Sequence, residues 1–349
     1  MRRTTLLKGL VVTALAVPAL LVPTLAHAAP VDELDAAVDA AGAGLVVASG
    51  DTVVYSHDTS AAGGTGVDDV VPIASASKLV SATVLMAMVE AGQLDLDASV
   101  ADYLEGSQVQ WPADKYEVTL RTLLSHTSGL RPNPCVNDTA TTLEACAQAI
   151  AAPPLVTQPG TTFSYGGTSY QLAGYIAEFV SGLSWAELVD LFVAGPADMP
   201  TLTFGATENP RIGGGAVTSA NDYMHLLQVH LAEGRYGDQA VLQPSSVAEM
   251  QTDHIAGLPV GASPGAQYQL GGYGLAWWIR NDCARPGTPG PELSDPGLTG
   301  FIGIIDPSIN QAVVVTMTQG LGAGEALYRQ ARPHIVELLT GTAPPAPTC

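Results

Sequence analysis

The chain has few basic residues. Its 349 residues include 13 Lys and Arg against 33 Asp and Glu, which gives a formal net charge of −20. Such a negative field repels polyanions and anionic lipid surfaces, so neither nucleic acid nor a membrane is an expected partner. Hydrophobic residues make up 47% and charged residues 13% of the chain, which is typical of a compact globular protein and not of a disordered one.

Cysteine is scarce too: the chain has Cys135, Cys146, Cys283 and Cys349. None of them has the C-x-x-C spacing of a metal site, and no ligand cluster or phosphate loop indicates a metal or nucleotide cofactor. An even number of cysteines in an exported protein suggests disulfides. Proximity favours Cys135 with Cys146 and Cys283 with Cys349, although four cysteines allow three connectivities.

The longest hydrophobic run lies near the N-terminus. There, three basic residues precede an apolar stretch (residues 9–25), and an Ala-His-Ala motif ends at Ala28. This pattern predicts a secretory signal peptide, residues 1–28, and an extracellular or cell-envelope location; two prolines in the run disfavour a retained membrane helix. The paired arginines raise the twin-arginine route, but Thr5 stands where that signal prefers an apolar residue, which favours the general secretory route.

The order of the predicted elements indicates an α+β fold. Strand-like Leu45–Ala48 and Thr52–Tyr55 form a hairpin near the N-terminus, and a long helical region follows. After it come three predicted strands and a last helix: residues 273–279, 299–305, 311–317 and 324–340. Both ends of the chain should therefore share one antiparallel sheet, flanked by helices, beside a mostly helical lobe.

The mature chain, residues 29–349, has a length that suits one large domain or two intimate lobes. The predicted α/β part takes residues 29–75 and 266–340, the helical lobe takes residues 76–265, and a Pro-rich tail takes residues 341–349. We expect a monomer.

The stretch Ser75-Ala-Ser-Lys78 is where chemistry is expected. It opens an apolar run that stops at Gly92, which predicts a buried helix beginning near Ser75. On a helix, residues three apart share a face, which would bring the Lys78 ammonium to the Ser75 hydroxyl. A serine hydroxyl needs a base to become a nucleophile, and a buried lysine can be that base. The alternative is a helix N-cap serine followed by an exposed lysine.

Two more residues stand in turns near predicted helices. His126 closes a helix beside a Thr-Ser-Gly turn, where a histidine usually hydrogen-bonds its own loop, so a structural role is favoured over a catalytic one. Tyr165 stands in a turn with Gly166 and Gly167, which let other groups approach the backbone closely. Between them, residues 131–160 form a long Pro-rich loop of the kind that often makes a functional rim.

Five segments carry a resemblance to a known family. In chain order they are Ile73-Ala-Ser-Ala-Ser-Lys78, Thr119–Leu130, Phe163-Ser-Tyr165, Gly213–Ser219 and Tyr273–Trp278. Together, and in this order over nearly all of the mature chain, they resemble the serine β-lactamase and DD-peptidase superfamily, in particular its class C β-lactamase and esterase branch.

The resemblance implies that Ser75 is the acylated nucleophile. Lys78 and Tyr165 would be the proton-transfer pair, with the tyrosine relaying a proton to the leaving group. A phenolate is favoured beside an ammonium, and a coupled pair can pass a proton in either direction. The backbone N–H groups of Ser75 and Leu298 would form the oxyanion hole. No cofactor is implied.

Two motifs depart from the family. The second is usually Tyr-x-Asn, but Gly167 replaces the asparagine, so the side-chain amide that would bind an acylamino substituent is missing. The third is usually Lys-x-Gly or His-x-Gly, and its best match is Asp295-Pro-Gly297. An aspartate there would repel a substrate carboxylate by roughly 4 kcal/mol at about 4 Å in an effective dielectric of about 20.

The lost cation bears on the substrate. Arg211, Arg280 and Arg285 are candidates to replace it from elsewhere. Without it, neutral esters or amides are the favoured small-molecule substrates of a secreted serine hydrolase. The alternatives are a β-lactamase or D-alanyl-D-alanine carboxypeptidase with a rebuilt carboxylate pocket, and a degenerate protein that binds cell-wall fragments without turnover.

Overall fold

The computed structural model describes residues 28–268, 270–280 and 290–345. The strands in these residues are β1 (Gly44–Ser49), β2 (Thr52–Asp58), β3 (Val71–Pro72), β4 (Val217–Thr218), β5 (Arg235–Tyr236), β6 (Gln239–Ala240), β7 (Leu270–Tyr273), β8 (Trp278–Arg280), β9 (Leu293–Pro296), β10 (Ile302–Asp306) and β11 (Gln311–Thr316). Seven of them form one sheet in the order β2-β1-β11-β10-β9-β8-β7, and β3–β4 and β5–β6 form two small ones.

The helices in the same residues lie mostly between β2 and β7. They are α1 (Ala28–Ala41), α2 (Ser77–Glu90), α3 (Val100–Leu104), α4 (Leu120–Leu124), α5 (Leu143–Ala151), α6 (Thr168–Ser181), α7 (Trp185–Val189), α8 (Ala220–Leu231), α9 (Pro244–Gln251) and α10 (Leu321–Thr340).

The large sheet joins the two ends of the chain. β1 pairs with β11 in antiparallel register, for example Val46 with Val314, and the other neighbouring strands are antiparallel too. The prediction of one antiparallel sheet built from both ends is confirmed, as is the N-terminal hairpin. Where the boundary between an α/β part and a helical lobe should be drawn stays a prediction.

Both faces of the central strands are covered. Leu45 and Val47 of β1 belong to a core shared with α1 and α10, whereas Val46 and Ala48 belong to the core shared with α2 and α8. Successive side chains on a strand point to opposite faces, so a strand that is covered on both sides has a continuous apolar sequence. The central sheet is therefore a wall between the terminal helices and the helical region that carries Ser75.

α2 is the buried helix that the sequence predicts. Every residue from Ser77 to Met88 is buried, and the chain leaves the helix through Gly92, whose φ is +71°. Such left-handed conformations cost glycine little, which is why glycine so often ends a helix.

One predicted strand is wrong, and another was not predicted. Residues 273–279 are not a single strand, because β7 ends at Tyr273 and β8 begins at Trp278. The Gly274 N–H donates to the Trp277 carbonyl oxygen at 2.8 Å, and Ala276 has a φ of +85°, which makes a tight turn inside an apolar run. The polar strand β9 has no apolar pattern to announce it.

Several sequence predictions concern the chain ends and the cysteines. The Cys135–Cys146 disulfide is confirmed, while Cys283 and Cys349 lie outside the described residues. The predicted signal peptide also lies outside them, apart from its last residue. None of the helices within the described ranges is both long enough and apolar enough to cross a bilayer.

Candidate active site

Ser75 sits in a tight turn at the entrance to α2. β3 leads into a 3₁₀ turn, Ala74–Ala76, in which Ala74 has a φ of +47°. This conformation is strained for alanine and turns the chain sharply just before Ser75. The Ser77 hydroxyl holds the turn, because it donates to the Ala74 carbonyl oxygen at 2.6 Å and accepts from the Ala216 N–H at 3.0 Å. The serine is thus presented on a backbone fixed by neighbouring segments.

Lys78 points back at this serine. Its side chain is buried, and its Nζ lies 2.7 Å from the Gly213 carbonyl oxygen and 3.3 Å from Ser75 Oγ. A buried ammonium needs hydrogen-bond partners, and these two direct the lysine at the serine instead of at solvent. A base within hydrogen-bond reach is what an attacking serine requires.

The ring of Tyr165 forms a wall of the same site. Its centroid lies 4.7 Å from Lys78 Nζ, a cation–π distance. The ring packs against Trp278 at 5.0 Å and against His126 at 4.6 Å between centroids, and the Tyr165 N–H donates to the Ala262 carbonyl oxygen at 2.8 Å. The structure therefore brings the serine, the lysine and the tyrosine into one cleft.

His126 packs behind the tyrosine. Its carbonyl oxygen accepts from the Ser164 N–H at 2.8 Å, and its buried ring contacts Tyr165, Tyr170 and Tyr273. Burial lowers the pKa of His126 well below its usual value, and a nearby ammonium adds to the effect. These contacts support the structural role: a neutral imidazole holds the turn in place.

Gly297 lets the turn after β9 approach the segment that precedes Ser75. A Cβ on Gly297 would lie 2.1 Å from the Ile73 carbonyl oxygen, so a larger residue does not fit. The Thr299 hydroxyl strengthens this contact by donating to the Pro72 carbonyl oxygen at 2.9 Å. Gly297 is buried and positions the backbone that carries Leu298, and its expected place among the substrate-binding residues stays a prediction.

The N–H groups of Ser75 and Leu298 are the candidate oxyanion donors. Neither donates a hydrogen bond to another residue in the described parts of the chain. The Leu298 carbonyl oxygen accepts from the Leu321 N–H at 3.0 Å, which fixes this backbone at the cleft, while its side chain is 75% exposed. Two available N–H groups at one cleft are what an oxyanion hole requires.

Two cavities meet at Ser75 and share Tyr165 and Leu298. The first, which we call the polar cavity, has a volume of about 310 Å³. Its other lining residues are Ala74, Lys78, Pro132, Asn133, Val136, Asn137, Gly166, Gly167, Thr168, Arg211, Gly213 and Gly214. The second, which we call the apolar cavity, has a volume of about 190 Å³. Its other lining residues are Pro264, Tyr268, Leu270, Trp278, Pro296 and Leu321.

Asp295 is not at the surface of the cleft, so the expectation that it repels a substrate carboxylate is wrong. β9 turns its side chain into the core, where it is 1% exposed and lines neither cavity. Its Oδ2 accepts from the Leu79 N–H and from the Tyr223 hydroxyl, both at 3.1 Å. The Leu79 N–H is an otherwise unpaired donor of the first turn of α2, so Asp295 caps that helix. Burial raises the pKa of Asp295 to about 7, against the opposing effects of Lys78 and these hydrogen bonds.

Gly167 lines the polar cavity opposite a loop. A Cβ on Gly167 would lie 2.9 Å from Val136 Cγ1. Val136 belongs to a 3₁₀ turn, Pro134–Asn137, which the disulfide from Cys135 ties to α5. The space that a larger residue at position 167 would need is therefore filled by Val136, and Asn137 of the same turn brings a different amide to the cavity.

The three arginine candidates have different outcomes. Arg280 is buried, with its guanidinium 2.7 Å from Glu325 and 3.2 Å from Glu292, so it does not reach the cleft. Arg285 lies outside the described residues. Arg211 lines the polar cavity.

Sequence reasoning missed several supporting residues. Gly213 begins the segment Gly213–Ser219, but the sequence of that segment does not indicate that the Gly213 carbonyl oxygen binds Lys78. Tyr223 is buried in α8, and its one hydroxyl proton is shared between Asp295 Oδ2 at 3.1 Å and the Ala76 carbonyl oxygen at 3.0 Å. A tyrosine on an apolar helix face is the available signal, because a buried hydroxyl needs a partner. No group of three or more metal-binding side chains occurs in residues 28–268, 270–280 and 290–345.

Comparison with known proteins gives the same picture. Penicillin-binding protein 4 of Amycolatopsis lactamdurans is 38% identical over 135 residues, which are 35% of this chain and 34% of that protein, so the match spans about a third of the relative's length. A candidate β-lactamase of Bacteroides dorei superposes with a TM-score of 0.73 at 27% identity, over 88% of this chain and 98% of that one.

A second structure, EstCE1, a hydrolase with promiscuous acyltransferase activity, has the same fold, with a TM-score of 0.71 at 20% identity over 89% of this chain and 98% of that one. A family model described as Beta-lactamase matches residues 28–336. Because this match extends over most of the sequence, the chain belongs to the Beta-lactamase family.

Proposed function

We propose that the protein is a serine hydrolase that forms an acyl-enzyme on Ser75. The observation that carries the proposal is the 3.3 Å distance between Lys78 Nζ and Ser75 Oγ, made by a buried lysine that the Gly213 carbonyl holds in place. A serine with a base in reach, in a cleft with two available N–H groups, has what acyl transfer needs.

The first half of the reaction acylates Ser75. As Ser75 Oγ attacks the carbonyl carbon, its proton passes to the pair formed by Lys78 and Tyr165, which must be one proton short to accept it. The oxygen of the tetrahedral intermediate takes its negative charge between the N–H groups of Ser75 and Leu298. When the intermediate collapses, the bond to the leaving group breaks and Tyr165 returns the proton to that group.

The second half releases the acid. A water molecule attacks the acyl carbon, gives its proton to the same pair, and breaks the bond to Ser75 Oγ as the proton returns there. One water is consumed for each ester or amide bond cleaved. No cofactor is needed for this balance.

Small esters or amides without an obligatory carboxylate are the substrates that the site favours. The third motif supplies no cation to the cleft, because Asp295 stands in its place and caps α2 from the interior. The second motif supplies no side-chain amide, because glycine stands at position 167, and Val136 fills the space that a side chain there would need. Esters are favoured over amides as the easier acyl donors for a site that has lost these two holds on its substrate.

A β-lactamase or D-alanyl-D-alanine carboxypeptidase is the second candidate. The arginine in the polar cavity favours it, since such substrates carry a carboxylate. Turnover of nitrocefin, or a stable acyl-enzyme with penicillin, distinguishes this activity from ester hydrolysis alone. A non-catalytic protein that binds cell-wall fragments would do neither, and the close approach of Lys78 to Ser75 weighs against it.

The test is a fluorophosphonate probe combined with p-nitrophenyl ester turnover. We expect the probe to label Ser75, and Ser75→Ala to lose both labelling and turnover. Ser245→Ala, which removes an exposed serine at the start of α9, is the control and should keep both. Labelling at another serine, or full turnover by Ser75→Ala, would contradict the proposal.

Export of the protein as a monomer is part of the same proposal. The Cys135–Cys146 disulfide supports an oxidising compartment. Mass spectrometry of the secreted form would test cleavage after Ala28, and sedimentation would test the oligomeric state.

A further inference from the structure

The polar cavity has an unusual charge for this protein. Its lining residues include two cationic side chains, Lys78 and Arg211, and no carboxylate. The chain as a whole has 33 acidic and 13 basic residues. A cleft lined by one sign of charge, with low-dielectric walls, attracts ligands of the other sign. This cavity is therefore an attractive site for an anion on a molecule that otherwise repels anions.

Only one of the two cations is available to a ligand. Lys78 is buried and already donates to the Gly213 carbonyl and to Ser75. Arg211 is exposed, and it has no ion pair or side-chain hydrogen bond with any residue of the described ranges. By contrast, Arg121 pairs with Asp97 and with Glu249. A guanidinium without an internal partner keeps its planar fork for a carboxylate.

The backbone places Arg211 close to the reacting serine. Its carbonyl oxygen accepts from the N–H groups of Gly214 at 2.9 Å and Gly215 at 2.7 Å, which closes a tight turn. A Cβ built on Gly214 would lie 3.7 Å from Arg211 Nη2 and 3.9 Å from the Ala74 carbonyl oxygen. The bare glycine thus separates the guanidinium from the turn that presents Ser75.

The other side of Ser75 has the opposite character. The apolar cavity is lined by proline, leucine and aromatic side chains, among them Trp278 and Leu321, and by no charged side chain. Apolar groups are driven into such a cavity by the loss of hydrated surface. A substrate that spans Ser75 therefore meets an unpaired cation on one side and an apolar wall on the other.

We propose that Arg211 recognises a carboxylate on the substrate. The carboxylate is not obligatory for turnover, but among small esters the site prefers those with a carboxylate on one side of the scissile bond and an apolar group on the other. The inference rests on the proposed hydrolase function of Ser75. It differs from the family arrangement, in which a cation of the third motif serves this purpose, because Arg211 belongs to the turn before β4.

Two matched pairs of esters test the inference. The first pair is p-nitrophenyl hydrogen adipate and p-nitrophenyl methyl adipate, with the carboxylate in the acyl group. The second is meta-acetoxybenzoate and its methyl ester, with the carboxylate in the leaving group. We expect the anionic member of at least one pair to have the higher kcat/KM, and that pair identifies the part of the substrate that lies in the polar cavity.

Substitution of Arg211 gives the decisive measurement. In Arg211→Gln the ratio of kcat/KM for the anionic ester to that for its neutral partner should fall by about 10- to 100-fold, the usual contribution of a charge-assisted hydrogen bond. Arg211→Glu should lower it further. Arg329→Gln, which removes an exposed arginine of α10, changes the net charge equally and should leave the ratio and the basal activity unchanged.

The outcomes separate the two proposals. Ester turnover with no preference for the anionic member of either pair, or a ratio that Arg211→Gln leaves unchanged, overturns the carboxylate inference and leaves the hydrolase intact. Absence of turnover and of fluorophosphonate labelling in the wild-type protein overturns both. Labelling of Arg211→Gln by the probe shows that its active site is folded.

Discussion

Two buried lysines occupy comparable environments in different parts of the molecule. Lys78 is 2% exposed and Lys115 is 1% exposed. Each ammonium donates to backbone carbonyl oxygens, Lys78 to Gly213, and Lys115 to Ala151 and Pro153. Each also lies over an aromatic ring, at 4.7 Å and 5.3 Å from the centroid. Burial, carbonyl contacts and an aromatic neighbour are therefore shared by both.

The difference between them is what else each ammonium reaches. Lys78 contacts the Ser75 hydroxyl and lines an open cavity, whereas Lys115 is sealed under the loop that it holds. Burial lowers the pKa of Lys115. The hydrogen-bond partners of its ammonium are carbonyl oxygens, which have no proton to exchange with it. A buried lysine is thus a structural clamp unless a nucleophile and a cleft adjoin it, and the following predictions test this distinction.

The largest expected effect comes from exchanging each lysine for methionine. Lys78→Met should lower kcat for ester hydrolysis by about 1,000-fold, because the proton acceptor of Ser75 is gone. Lys115→Met should keep the wild-type rate but lower the free energy of unfolding by about 1–3 kcal/mol, since buried carbonyl oxygens lose their donor. Steady-state kinetics and urea unfolding on the pair measure both; equal losses of activity would erase the distinction.

A second prediction concerns the carboxyl near each lysine. The carboxyl group near Lys78 is that of Asp295, which is buried, whereas the carboxyl group beside Lys115 is that of Asp114, which is exposed. Burial raises the pKa of Asp295 from 3.8 to about 7. The folded protein therefore binds this proton more tightly than the unfolded chain, and its contribution makes unfolding easier as pH rises from about 4 to about 7.

Asp295→Asn should remove this pH dependence. The asparagine oxygen can still accept from the Leu79 N–H, and the stability of the variant relative to wild type should rise between pH 4 and pH 7 by up to about 4 kcal/mol. Unfolding by denaturant at several pH values measures the difference. Asp32→Asn, at an exposed site on α1, is the control. A constant difference between the variant and wild type across this range would refute the prediction.

The smallest effect concerns the cleft that only Lys78 adjoins. Gly167→Ala places a Cβ 2.9 Å from Val136 Cγ1, and we expect it to lower the free energy of unfolding by about 1–2 kcal/mol through overpacking. Gly166→Ala, whose Cβ would meet open space, should not destabilise the protein. Adding Val136→Ala to Gly167→Ala should restore much of the loss; if it does not, the contact is not the cause.

The sequence predicted which helices and strands form and which residues lie close together better than it predicted the direction in which a side chain points. The buried helix after Ser75 follows from a long apolar run, and the central strands follow from their continuous apolar sequences. By contrast, β9 is short and contains polar residues. Asp295 of β9 accepts a hydrogen bond from the Leu79 N–H in the interior, and Glu292, just before β9, pairs with Arg280 there. From the sequence alone, such a short polar segment is interpreted as a loop.

The same limit explains the error about Asp295. A motif position tells which residue stands at the end of a strand, but one residue of register decides whether its side chain faces the cleft or the core. The close packing of Val136 on Gly167 was equally hidden, since it joins segments about 30 residues apart through a loop that a disulfide positions. Motif spacing alone could not reveal contacts of this kind.

The burial of α2 has a consequence for how the protein would fail on heating. Each residue from Ser77 to Met88 is enclosed, and the helix start is fastened by Asp295 and Ala216 from remote segments. The turn that carries Ser75 is therefore not part of a unit that could unfold on its own. Its opening would require the sheet and the helical region to separate, so inactivation and global melting should share one transition instead of following each other.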